Sequence, residues 1–223
     1  MRKFLTATLL CMALTVTMVP AAFAADTADS NYTTCMAAIQ EQKVIQDQAH
    51  QTAESLHQKG YDDSSAYIQA AQSTWWAAQD EIVAYQKLSQ YTDEDIRILT
   101  TAVFYEAGHT TEQLREYVAQ VVLNRVADSR FPDTVKGVIT QPGQYATKYA
   151  TQAATDSIKS ADSQNGTYYY AMCETAVKKA MMGQVDMPSN VLYQANFAQG
   201  KGVWQSVYFN SGWYASTSYF CYG

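Results

Sequence analysis

The sequence has no excess of positive charge. Its 223 residues carry 15 Lys and Arg against 21 Asp and Glu, a formal net charge of −6. A nucleic-acid-binding surface needs a basic patch, and nothing here supplies one, so no nucleic-acid partner is expected. Histidine is scarce as well, at three residues. His50 and His57 lie on a polar, helix-favouring stretch and His109 stands alone, a distribution without metal-ligand spacing. No metal and no other cofactor is expected. The four cysteines also lack zinc-type spacing. Long hydrophobic runs are missing, with one exception at the N-terminus.

That exception is the opening "MRKFLTATLLCMALTVTMVPAAFA". Arg2 and Lys3 precede a mostly apolar run from Phe4 to Val19, and Ala22-Phe23-Ala24 has the small-x-small pattern of a signal-peptidase site. Residues 1–24 are expected to be a removable signal peptide, so contact with a membrane is limited to export. The remainder then carries 13 basic and 21 acidic residues. It also carries three cysteines, Cys35, Cys173 and Cys221, an odd number that does not read as a disulfide framework. Buried thiols are the expectation, with a Cys173–Cys221 bridge as the alternative.

The chain contains no internal repeat. From about Asn31 to Lys59 it is rich in Gln, Ala, Glu and Lys without proline, a composition that favours helix. Gly60 fits its stop, and Asp62-Asp63-Ser64 fit the start of a second helix. That helix would carry Tyr67, Ala71, Trp75, Ala78, Ile82 and Tyr85 on one apolar face, making an antiparallel hairpin over residues 25–91. The polarity of the hairpin suggests a place apart from the main core, or an interaction surface. Thr92 or Asp93 can cap the next helix, with Ile96, Leu99 and Val103 inward. Thr110 with Gln113 reads as a capping box for a helix to about Ala127. Asp133 can cap a short third helix through Val138 and Ile139, "QPGQ" is a loop, and a last helix spans about Tyr169 to Met182 before Gly183. The stretches "VLYQANF", "VWQSVYF" and "WYASTSYFCY" look strand-like, with turns at Gly200-Lys201-Gly202 and Asn210-Ser211-Gly212. The class is α+β, mostly helical.

Glu106, in "TAVFYEAGHTTEQL", is the residue out of keeping with its surroundings. At about 100° per residue it falls roughly 20° from the direction of Leu99, inside the apolar stripe of its helix. Burial of an ionised carboxylate is costly, and the helix C-terminus disfavours negative charge. Both effects raise the pKa, as a general acid near neutral pH requires. A structural ion pair with Arg97 or Arg125 is the competing explanation.

The wider pattern resembles the spore-cortex-lytic, germination-type cell wall hydrolase family. The resemblance rests on "FYEAGH", then "VAQVVLNRV", then "RFPDTVKGVITQPGQY", and continues more weakly through "VLYQANFAQG" and "SYFCY". It covers about residues 93–223 and implies a lysozyme-like domain over 92–223, secreted to the wall or surface of a bacterium and acting on peptidoglycan glycan strands. Glu106 matches the family's catalytic glutamate. The implied chemistry is cleavage between N-acetylmuramic acid and N-acetylglucosamine, most simply by a lytic transglycosylase route with a single carboxyl group. Glu112, Asp133 and Glu174 are the other acids near helix ends, and none stands out as a partner. Two features depart from the family. Gly108, His109 and Thr110 stand where it often has Arg-Gly-Glu, which leaves open how that loop is held, and Ser218 stands where many members have histidine.

Gln144 and Tyr145 on the proline-glycine loop, Asn124 late in its helix, and Tyr193, Asn196 and Tyr219 near the C-terminus are the expected substrate-binding residues. Arg125 is expected to pair with a carboxylate, while Phe197 and Trp204 are further aromatic candidates for a glycan cleft. Two other functions compete with a glycosidase. One is a non-catalytic peptidoglycan-binding module, and the other is a protein-interaction module built on the hairpin of residues 25–91.

Overall fold

The structure, a computed structural model, describes residues 30–160, 165–210 and 215–223. The expected signal peptide and the Ser211-Gly212 part of the last turn lie outside these residues. No helix among the described residues is long and apolar enough to cross a membrane.

Two long helices come first. α1 (Ser30–Gln58) and α2 (Ala66–Leu88) run antiparallel, joined by a turn in which Gly60 takes φ +90°, a conformation that side chains other than glycine rarely adopt. Ser65 caps α2 by accepting a hydrogen bond from the Tyr67 amide. The cap sits just past the expected Asp62-Asp63-Ser64, and the inward residue is Ile68, fully buried, rather than Tyr67, which is 65% exposed. One helical position is a rotation of about 100°, enough to exchange the two. Ala71, Ala78 and Ile82 face inward as expected, and Ala53, Ile68 and Ala71 form a small apolar cluster with Leu56 toward the tip.

The base of the hairpin is built into the main core. Cys35 and Leu88 pack in the same cluster as Leu99 and Val118, so the hairpin is joined to the core at one end. Asn31 is buried there, its Nδ2 donating to the carbonyls of Leu88 (2.9 Å) and Tyr91 (2.7 Å). The amides of Ser30 and Asn31 donate to the Asp93 carboxylate. Replacing Asn31 with Ala leaves two carbonyls short of a donor in a largely dry place. A loss of about 2–3 kcal/mol is expected, read as a lower midpoint in thermal unfolding, with faster amide exchange at the start of α1.

α3 (Asp93–Ala107) is the central element. Thr92 and Asp95 form a full capping box, and three acids in the first turn suit the positive end of the helix. Ile98, Leu99, Ala102 and Val103 are fully buried. α4 (Glu112–Val126) is capped by Thr111, not Thr110, and α5 (Val135–Thr140) by Thr134, not Asp133. Thr110 instead donates its hydroxyl to the Ala107 carbonyl. A 3-10 turn (Thr147–Ala150) and α6 (Gln152–Lys159), capped by Thr151, form a segment with no counterpart in the expected element order. α6 is short and buries only Ala154, Thr155 and Ile158, and the reading of the sequence passed over it. α7 (Gly166–Met181) ends before Gly183.

The C-terminal strands β1 (Val191–Ala195), β2 (Val203–Asn210) and β3 (Ala215–Tyr222) form an antiparallel sheet in the order β1-β3-β2. The class is α+β, mostly helical, with a hairpin ahead of the rest. Cys35, Cys173 and Cys221 are all buried, and burial pushes the Cys173 thiol up to about 12. The alternative Cys173–Cys221 bridge is not formed.

Candidate active site

α3 delivers Glu106 to a cleft of about 290 Å³. Three segments form the rest of its lining. Arg125 comes from the last turn of α4, and Gly143, Gln144 and Tyr145 from the loop after α5. Tyr193, Gln194 and Ala195 come from β1, followed by Phe197 and Gln199. Gly143 has φ +77° in the proline-glycine turn, which a side chain would strain.

Glu106 is exposed at the cleft rather than buried in the stripe of α3. The expected burial in the stripe is not met, because the buried residues of the helix end with Val103 and Ala107 while Glu106 lines the cleft. The surrounding protein still strips enough water from the carboxyl to raise its pKa, with burial as the main cause and a hydrogen bond from Tyr149 opposing it. A cleft wall accounts for both observations, since solvent reaches the group from one side while rings crowd the other. Tyr149 stacks on Tyr105 with centroids 4.7 Å apart and planes 5° apart, and the Lys148 Nζ sits 5.4 Å from the Tyr105 centroid. Burial also raises Tyr149, and Tyr145 is pushed up to about 12, so both phenols keep their protons at neutral pH. Glu106 therefore stands among neutral hydroxyls.

The ion pair proposed as the competing explanation for Glu106 does not form among the described residues. Arg97 uses its guanidinium on the carbonyls of Ala150 and Thr151 and the Thr155 hydroxyl, which fixes the segment carrying Tyr149. The Arg125 Nε donates to the Leu192 carbonyl at 2.7 Å, and its Cζ lies 5.3 to 5.9 Å from the rings of Phe131, Tyr145 and Tyr193. The expected carboxylate partner of Arg125 is absent among these residues. The loop after Glu106 is held by Arg115, which is buried and donates from Nη1 to the carbonyls of Gly108 and Thr110. The sequence left open how this loop is held, and these bonds hold it.

The cleft brings together Glu106, Gln144, Tyr145 and Tyr193 from the expected set. Asn124 is not among the lining residues. It is 5% exposed, with Nδ2 donating to Pro188 and Val191 and Oδ1 accepting from Gln120, so its amide ties β1 to α4 and is not available to substrate. Asn196 is exposed on the loop beside the lining residues Ala195 and Phe197. Tyr219 pairs opposite Ala195 and Ser206 in the sheet and is not part of the lining, and Trp204 packs on Tyr117 instead. Tyr149 went unnoticed in the sequence, where it is one of 17 tyrosines in a segment without a periodic pattern.

Among the described lining residues Glu106 is the one carboxylate. Glu112 pairs with Lys179, Glu174 with Lys178, and Asp133 is exposed outside the lining. No group of His, Cys, Asp and Glu suited to a metal occurs among the described residues.

Comparison with known proteins finds relatives over less than half of the chain. The spore cortex-lytic enzyme of Halalkalibacterium halodurans is 34% identical over 114 residues, which cover 44% of this chain and 34% of that protein. The spore cortex-lytic enzyme of Bacillus cereus is 35% identical over 100 residues, 40% of this chain and 39% of that protein. That of Bacillus subtilis is 28% identical over 119 residues, 48% and 39% respectively. The chain thus spans little more than a third of the length of these relatives. No solved structure matches it significantly. Residues 110–217 match the cell wall hydrolase family, and Glu106 lies just ahead of the matched segment. Through this segment, which contributes most of the cleft, the chain is similar to the cell wall hydrolase family.

Proposed function

We propose that the protein is an exported peptidoglycan-cleaving glycosidase that works as a lytic transglycosylase, with Glu106 as its catalytic acid and base. The observation that carries this reading is a single carboxyl group, raised in pKa, in a cleft walled by aromatic and amide side chains. Sugar rings stack on aromatic faces, and amides such as Gln144 hydrogen-bond to acetamido and hydroxyl groups. Asn196 and Tyr219 lie outside the lining and have no substrate contact in this reading.

The steps follow from one carboxyl group. Protonated Glu106 gives its proton to the glycosidic oxygen as the bond from muramic C1 to that oxygen breaks, releasing the N-acetylglucosamine 4-hydroxyl. The muramic 6-hydroxyl then bonds to C1, and ionised Glu106 accepts the proton that this hydroxyl loses. The 1,6-anhydro ring closes, no water is consumed, and the acid is restored. Hydrolysis with retention or inversion ordinarily needs a second carboxyl about 5–9.5 Å away. Tyr149 would orient Glu106 and keep the carboxylate form accessible for the second half of the cycle.

Digestion of purified peptidoglycan with the products weighed tests this reading. Anhydromuropeptides are expected. Reducing-end muropeptides would mean a hydrolase, and binding of the polymer without any sugar release would mean a non-catalytic module.

A further inference from the structure

We propose that Arg125 is a carboxylate-binding site within the cleft, reading the anionic substituent carried by the muramic sugar. The proposal rests on the reading of the cleft as a glycan site.

Two other arginines, the half-buried Arg97 and the buried Arg115, serve as internal comparisons. Arg97 and Arg115 use their Nη groups on carbonyls and a hydroxyl of the protein. Arg125, only 4% exposed, uses Nε alone, on the Leu192 carbonyl, and neither of its Nη groups has a hydrogen-bond partner among the described residues. Those groups are not sealed in the interior, because the residue lines the cleft and they are not among the buried unpartnered atoms. The rings of Phe131, Tyr145 and Tyr193 surround the guanidinium and, with the Nε bond, fix its position. What remains free is the two-pronged edge, the part of arginine whose geometry matches a carboxylate.

Charge points the same way. A buried cation without a counter-charge is costly, yet no carboxylate of the described chain lies within ion-pair distance of Arg125, although the protein is acidic overall. Sugar hydroxyls and acetamido groups are neutral, so a glycan alone would not neutralise it. The muramic unit adds an anion from one of two sources. One is its own lactyl carboxylate where the peptide stem has been removed, and the other is a carboxylate of the stem. Either would meet the guanidinium edge while Glu106, across Tyr145, faces the scissile bond.

The test uses the full chain carrying Glu106→Gln, so that binding is measured without cleavage. Three soluble glycan fragments are titrated by calorimetry: one with intact stems, one with stems removed by an amidase, and one with intact stems whose carboxylates have been converted to amides. The amidated fragment is expected to bind about 10-fold or more weaker than at least one of the others, and the tighter of those two identifies the source of the carboxylate. Adding Arg125→Lys, which keeps a charge but not the fork, should bring the carboxylate-bearing fragments to within a fewfold of the amidated one. Equal binding of all three fragments overturns the Arg125 site while leaving the glycan reading intact, as does a preference that survives Arg125→Lys. If the Lys variant fails to fold, the preference of the Arg125 protein among the three fragments decides alone. Binding of none of them overturns the site and the glycan reading together.

Discussion

Glu106→Gln is expected to reduce glycan cleavage roughly 1000-fold or more while leaving the fold and polymer binding in place. A positioned general acid contributes on the order of 100- to 10,000-fold, and on the proposed route the same group serves in both halves of the reaction. The amide keeps the size and hydrogen-bonding reach of the carboxyl but can neither give nor take the proton. The variant also reports on the local environment. Because the folded-state pKa of Glu106 is raised, the folded protein holds its proton more tightly than the unfolded chain does. Ionisation therefore costs stability above the folded-state pKa, and the cost fades as pH falls from there to the unfolded value, below which both states are protonated. Glu106→Gln should thus be more stable than the parent protein at neutral pH and equal to it in acid. Denaturant titrations of the two proteins at several pH values check this, and a gain that grows toward acid would contradict the assigned direction. In the parent enzyme, activity should fall as pH rises through the Glu106 pKa, since the first step needs the protonated acid.

The second large effect concerns stability. Asn124→Ala removes three hydrogen bonds from a buried position and leaves the Pro188 and Val191 carbonyls without their donor. At about 1–3 kcal/mol for each unsatisfied buried group, the loss should be about 2–4 kcal/mol. For a chain of this size that lowers the unfolding midpoint by roughly 5–12 °C. The change also loosens β1, which carries Tyr193, Gln194 and Ala195 into the cleft, so activity should fall even below the unfolding transition. Thermal unfolding followed by circular dichroism measures the first effect. A shift smaller than that of a typical exposed substitution would remove Asn124 from the scaffold role given to it here.

These residues also show where the sequence was legible. The direction of Glu106 on α3 follows from 3.6 residues per turn, because Leu99 and Val103 define the stripe locally. How far the stripe stays covered does not follow, since the cleft opens where the loop after α5 and β1 arrive from distant parts of the chain. Most helix starts were found to within one or two positions, with the last helix starting at Gly166 against about Tyr169, and two of the misses share a cause. Neighbouring hydroxyl and carboxylate residues, Thr110 beside Thr111 and Asp133 beside Thr134, compete for one cap, and packing of the helix decides between them. Asn124 and Arg125 were both singled out, but where each side chain sits was not legible. The asparagine is held in the scaffold and the arginine faces the cleft, because their partners at Pro188 to Leu192 lie more than 60 positions away. Tyr149 stands in a segment without a periodic pattern, and bonds from Arg97, far away in the sequence, hold that segment in place.

The central claim is that one carboxyl group cuts the glycan without water. Digestion of purified peptidoglycan in water enriched in oxygen-18, with the new sugar ends analysed by mass, tests it most directly. Anhydromuramic ends free of the label, formed by the parent protein and not by Glu106→Gln, are the predicted result. Reducing ends that carry one labelled oxygen would contradict the account, because a water molecule would then have attacked C1 and a second group would be needed to activate it.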